Sequence, residues 1–158
     1  MLFPKAKFPL TTPDERYIII LKSHARRREI KEKILVIGCK RTMNDVCIGC
    51  SRCTVAFNRK DGEFARYKGD DAQLLGILNC GDCPGTAAGI RLTQFKLWNA
   101  PMGELPTKIH LGNCLANNCP YRDTLRPMIE KLTGVEVIAG THPYKSKDIF
   151  KPVSTDKK

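Results

Sequence analysis

Four apolar runs of strand length, each closing on a side chain that can bind metal, set the narrowest limit on how this chain folds. They are ILVIGC (34–39), LLGILNC (74–80), KIHLGNC (108–114) and VEVIAGTH (135–142). A run that is apolar at nearly every position, rather than at alternate ones, suits a strand covered on both faces, as in a parallel sheet. Parallel neighbours need long crossovers, and helix-like segments lie between the runs. TVAFNRKDGEFARY (54–67) is amphipathic, although Gly62 weakens it. TAAGIRLTQFKLW (86–98) places Ile90, Phe95, Leu97 and Trp98 in an apolar cluster, with Phe95 and Trp98 expected in the core. YRDTLRPMIEKL (121–132) leads to Gly134, which fits a left-handed cap, and Pro127 is expected to bend or break it near its start. Alternating strand and helix predicts a three-layer α/β fold with a mostly parallel sheet of four to five strands, flavodoxin-like or related. Upstream, YIIIL (17–21) reads as a short strand and KSHARRREIKEK (22–33) as a charged helix.

In a parallel sheet the carboxyl ends of the strands share one edge, and open α/β folds bind ligands there. Cys39, Cys80, Cys114 and His142 close the four runs. Cys47, Cys50 and Cys53 follow in the first loop, Cys83 in the second and Cys119 in the third, so all eight cysteines fall on that edge. One free cysteine is ordinarily a small buried residue. Eight on one edge call for a different reading. Thiolate and imidazole are ligands for borderline and soft metals, and rigid strand ends fix their directions.

The spacing carries further detail. CIGCSRC (47–53) repeats Cys-x-x-Cys twice, the pattern that holds three irons of a cubane cluster with a fourth ligand from elsewhere. The expected cofactor is therefore an iron–sulfur cluster of the 4Fe-4S type, with zinc as the alternative. An electron-transfer role would imply a redox partner protein. A second function keeps the same residues: Cys80 and Cys83 in NCGDCPG, between a strand and a helix, could serve as a thiol–disulfide pair. That reading leaves the other six cysteines without a role. His110 shares the pleat parity of Cys114 and reads as structural, and His24 is assigned nothing. Asp82 either tunes the site or favours the tight turn, and Lys40 and Arg41 read as a solvated loop.

The net charge of +11 suggests nucleic acid until it is located. Residues 1–33 carry +5 and residues 143–158 carry +3, whereas 34–142 carry only +3. The charge sits on the ends, and no basic-aromatic stacking stripe accompanies it, so nucleic acid is not the expected partner. This divides the chain into a basic arm (1–33), a metal-binding α/β domain (34–142) and a basic tail (143–158). No run approaches the ~18 apolar residues of a membrane span, and no signal-peptide core is evident. The expected compartment is the reducing cytoplasm, where clustered cysteines are ligands or redox groups rather than disulfides. Neither a nucleotide-binding glycine loop nor a Ser-His-Asp arrangement occurs, so no catalytic residue is assigned.

Residues 34–142 resemble the CGGC-domain family of bacteria and archaea. The resemblance rests on Cys39 with the cysteine loop to Cys53, GEFARY (62–67), NCGDCPG, HLGNC, NNCP and TGVEVIAGTH. It implies a metal-binding domain, with zinc suggested for the family, and it carries Cys39, Cys47, Cys53, Cys80, Cys83, Cys114, Cys119 and His142 over as site residues. Two departures stand out. The namesake tetrad reads CGDC, with Asp82 for the second glycine, and the first loop has Cys50 as an extra thiol.

Overall fold

The computed structural model describes residues 30–47 and 51–143. The YIIIL strand, His24, Cys50 and the basic tail beyond Pro143 lie outside the described residues, as does most of the charged segment 22–33. Where that segment is described, Glu32 and Lys33 open a strand and not a helix.

Four parallel strands form one sheet: β1 (Glu32–Gly38), β2 (Ala72–Asn79), β3 (Lys108–Leu111) and β4 (Glu136–Ala139), in the order β2-β1-β3-β4. The chain builds outward from β1 to β2, then returns across β1 to add β3 and β4. The reversal places the topological switch between β1 and β3. Alternation along β1 sends Leu35 and Ile37 to one face and Ile34 and Val36 to the other, and all four are essentially inaccessible. This is why the run had to be apolar throughout.

Helices cover both faces. On the first, α3 (Ala87–Asn99) and α5 (Arg122–Thr133) press Ala88, Leu92, Leu125 and Ile129 onto Leu35, Ile37, Ile109, Leu111 and Val137. On the second, α2 (Ser51–Arg59) and a 3₁₀ helix (Gly62–Tyr67) bring Cys53, Phe57, Phe64 and Tyr67 onto Ile34 and Val36. Short helices α1 (Lys40–Asp45) and α4 (Asn113–Ala116) follow β1 and β3. In β2 the register to β1 slips at Leu75, between the pairs Ile34–Leu74 and Leu35–Gly76. The extra residue resets the alternation, so Leu74 and Ile77 both pack on the α2 face.

Four expectations need correction. The amphipathic stretch 54–67 is two elements, because Lys60 and Gly62 take positive φ (57° and 59°) and end the α-helix. Ile90, Leu97 and Trp98 are exposed, so Trp98 is not core and Ile90 and Leu97 do not join Phe95 in one apolar cluster. The sheet-facing stripe of α3 runs Ala88, Leu92, Phe95, which leaves Ile90 and Leu97 on the far side and Trp98 at the margin. Pro127 sits inside an unbroken α5, which ends as expected at Gly134 with φ 69°. Lastly, Cys114 and His142 lie three residues beyond their strands rather than at the ends, and Cys114 is in α4.

Gly62 ties the two loop systems together. A Cβ there would lie 2.5 Å from the carbonyl oxygen of Thr141, and the backbone is left-handed. Gly62→Ala is expected to lower unfolding free energy by about 2–3 kcal/mol, read from denaturant titration against the wild-type chain.

Candidate metal centre

Backbone hydrogen bonds carry the ladder past the strand ends and draw the cysteine-bearing loops together. Cys80 N–H donates to Gly38 O (2.9 Å), Gly112 N–H to Ile37 O (2.8 Å) and Gly140 N–H to Leu111 O (2.8 Å). Cys39, at the N-cap of α1, then donates its N–H to Cys114 Sγ at 3.1 Å. The close approach needs small residues on both sides. A Cβ on Gly38 would meet Met43 Sδ at 2.6 Å, and one on Gly112 would meet Cys114 Sγ at 3.2 Å.

The turn after β2 is built from left-handed residues. Gly81, Asp82 and Gly85 have φ of 80°, 88° and 94°, and Gly85 N–H donates to Asp82 O at 2.6 Å. Position 82 therefore has the backbone that favours glycine. Asp82 is held there by its own carboxylate, which accepts from Cys83 N–H (3.0 Å) and Arg41 Nε (3.1 Å) and lies 3.6 Å from Lys40 Nζ. The Cys83 N–H, with Arg41 behind it, holds this carboxyl below its ordinary range. Lys40 and Arg41 are thus paired to the CGDC turn, and not merely solvated. Cys80 is buried at the strand end and Cys83 is exposed.

The thiols differ in acidity for identifiable reasons. Burial pushes Cys39 up. The N–H and hydroxyl of Thr42, the N–H of Arg41 and the Arg41 charge together outweigh it, so the thiol sits below an ordinary cysteine. Burial raises Cys114, only partly offset by the Cys39 N–H, and the charges of Cys39 and Cys53 raise it further. Burial also raises Cys119, where Tyr121 N–H works against it and the charges of Cys80, Cys39 and Cys83 add to it. The charge of Cys39 acts on both Cys114 and Cys119.

Not every expected ligand joins this cluster. Cys53 is buried on the α2 face, where its S–H donates to Thr141 Oγ1 at 3.5 Å. Cys47 is half-buried beyond α1, its N–H bonded to Thr42 O. Cys50 lies outside the described residues. His142 is half-buried and its Nδ1 donates to Pro143 O at 3.0 Å. Among the described residues no three His, Cys, Asp or Glu side chains converge as a ready-made ligand group.

Sequence reasoning missed the polar residues that hold the loops. Asn113 accepts from Thr141 N–H (2.9 Å) and donates to His142 O. His110, fully buried, is structural as expected. Its Nδ1 lies 2.9 Å from Gly140 O, which can only accept, so Nδ1 carries the hydrogen and Nε2 takes the Tyr67 O–H at 2.7 Å. Burial holds this imidazole below its ordinary range, and burial pushes the Tyr67 hydroxyl well above its own. The only sequence signal was an Asn directly before each of three cysteines, Cys80, Cys114 and Cys119, and nothing local names partners some 28 residues away.

A family model for the CGGC domain matches residues 33–142. The chain belongs to the CGGC-domain family. An uncharacterized protein of Methanocaldococcus jannaschii is 32% identical to it over 123 residues, covering 73% of this chain and 90% of that relative. No solved structure matches. In this CGGC domain the namesake tetrad is the turn Cys80–Cys83, and its third position is Asp82, at φ 88°. No helix among the described residues is long and apolar enough to cross a membrane.

Two outcomes test these environments. Among Cys39, Cys114 and Cys119, Cys39 is expected to be alkylated first by iodoacetamide at neutral pH in the metal-free chain, as read by peptide mass mapping. His110 has a folded pKa below its unfolded value of about 6.5, so the unfolded chain takes up that proton first as pH falls. The stability contributed by the neutral ring is whole above the unfolded value and is lost as pH falls through the folded one. Unfolding free energy should therefore drop between pH 7 and 5, and His110→Gln should flatten that slope.

Proposed function

We propose that this CGGC domain binds a thiophilic metal centre at the carboxyl edge of its sheet, with Cys39, Cys80, Cys83, Cys114 and Cys119 as the ligand pool. The observation that supports this is geometric: the Cys39 N–H donates to Cys114 Sγ at 3.1 Å and the Cys80 N–H to Gly38 O at 2.9 Å, which bring cysteines of three separate loops to one edge. A bound cation would favour the ionised form of each such thiol. The donor set fits such a metal in kind. Since among the described residues no three ligands are already convergent, binding would recruit the sulfurs by side-chain rotation about the strand ends and the loops that follow them.

An iron–sulfur cluster is our choice for the centre, because the pool is entirely thiol, the donor set of a cubane cluster, whereas His142, which would complete a mixed Cys/His zinc site, is bonded to Pro143 O. Such a group supplies one-electron transfer or sulfur chemistry when bound, and the first of these would require a redox partner protein. The chain's own contribution is to fix Cys39 and Cys80 on rigid strand ends, and to hold the Cys83 turn against α1 through Asp82, Arg41 and Lys40. These reduced thiols suit the cytoplasm. A second reading, thiol–disulfide exchange, is favoured by one feature: the CGDC turn pairs a buried Cys80 with an exposed Cys83.

The deciding experiment is anaerobic purification of the full chain, with iron, zinc and acid-labile sulfide measured together. About four irons and four sulfides per chain are expected, lost in Cys80→Ser and Cys119→Ser. Close to one zinc without sulfide would keep the site and change the metal. Neither metal, with Cys80 and Cys83 cycling to a disulfide, would overturn the reading in favour of the dithiol.

A further inference from the structure

The outer face of α3 is apolar where a surface helix is ordinarily polar. Ala88, Leu92 and Phe95 turn to the sheet, and the opposite side carries Ile90 and Leu97, 73% and 69% exposed. Spaced by two helical turns, these two lie on one stripe. Trp98, 71% exposed, stands beside that stripe. Leu132 of α5, also exposed, extends it on the other side, its Cδ2 lying 3.5 Å from where a Cβ on Gly89 would be. Among the described residues nothing covers this face. Apolar surface gathered in one place marks a contact with another protein, and tryptophan and arginine are the residues that most often carry the binding energy of such contacts.

The pattern is complementary to itself. A two-fold axis crossing α3 at right angles between Thr93 and Gln94 sets Ile90 of one copy opposite Leu97 of the other, and the reverse. Arg91 and Trp98 are also two turns apart and share one flank, where both line a groove of about 220 Å³ beside Leu78 of β2. Such an axis places each flank against the same flank of the other copy. With a rise of about 1.5 Å per residue, Arg91 then comes within about 3 Å, measured along the helix, of Trp98 in the other copy. That is within reach of a cation–π contact, and the symmetry makes two of them. Among the described residues Arg91 is in no ion pair, and α3 contains no Asp or Glu to compete for it. Lys96 sits on the opposite flank, so it does not oppose Arg91 across the contact.

We propose that two copies of this chain pair antiparallel through α3, with Ile90 and Leu97 as the apolar seam and Arg91 stacked on Trp98 of the other copy. An unrelated partner would not require a cation and a ring to stand at reciprocal levels on one flank. The contact lies in the helical layer and does not rest on the proposed metal centre.

The test is sedimentation of the full chain over a range of concentrations, in reductant so that no disulfide joins the copies. The emission of Trp98, its one tryptophan, is read on the same samples. A dimer with a dissociation constant in the micromolar range is expected, with emission that moves to the red on dilution. Ile90→Asp with Leu97→Asp should weaken it at least about a hundred-fold. These side chains are exposed, so hydrogen-exchange protection over 108–111 should be unchanged and shows that the domain remains folded. Arg91→Ala should weaken the dimer about five-fold or more, and Arg91→Lys less, because a lysine keeps the cation. A chain that stays monomeric at every concentration would overturn the proposal. So would a dimer that survives the paired Asp substitutions, which would assign the contact to another face, or one that Arg91→Ala leaves unchanged.

Discussion

The whole arrangement depends on burying β1 from both sides. Its run from Ile34 to Ile37 is inaccessible on either face, and only two helical layers can achieve that for a strand paired along both edges. Once β1 is central, β2 and β3 must flank it, and the chain has to cross the sheet between them. The switch point between β1 and β3 is a consequence of that crossing. Cys39 and Cys114 meet there because the backbone ladder extends to Gly112 and because Gly38 and Gly112 leave room for sulfur.

Gathering thiols at such an edge carries an electrostatic cost that the protein handles unevenly. Cys114 and Cys119 are driven toward the protonated form by burial, while Cys39 is drawn the other way by Thr42 and Arg41. The proposed metal centre would act on this edge by favouring every thiolate at once, the one drawn down and the two pushed up alike. The loop that carries His142 is held by neutral contacts. His110, Tyr67 and Asn113 fix residues 140–142 by hydrogen bonds that do not depend on any ligand.

Asp82 shows how a side chain can offset an unfavourable backbone. Its left-handed conformation suits glycine, the family residue at that place, yet its carboxylate binds the following N–H and two cations on α1. Exposed ion pairs contribute little stability. Their effect here is positional, since they connect the turn bearing Cys83 to the segment that begins with Cys39.

Much of this was legible from residues 34–142 alone. Continuous apolar runs separated by crossover-length segments determined a parallel α/β sheet, and with it the edge on which the cysteines would fall, because local patterning dictates which strands need two covered faces. Gly134 as a cap and the weakness at Gly62 were local signals of the same kind. The rest required the tertiary structure. That Trp98 faces solvent, that α5 tolerates Pro127, and that Cys53 turns to Thr141 on the opposite layer from Cys80 depend on helix orientation, and that Leu74 and Ile77 share a face depends on a register slip at Leu75, neither of which a local pattern encodes. Sequence determined which residue types reach the edge, since that follows from backbone periodicity. Only packing decided which of them meet, since contacts between residues distant along the chain are set by how the layers close on one another.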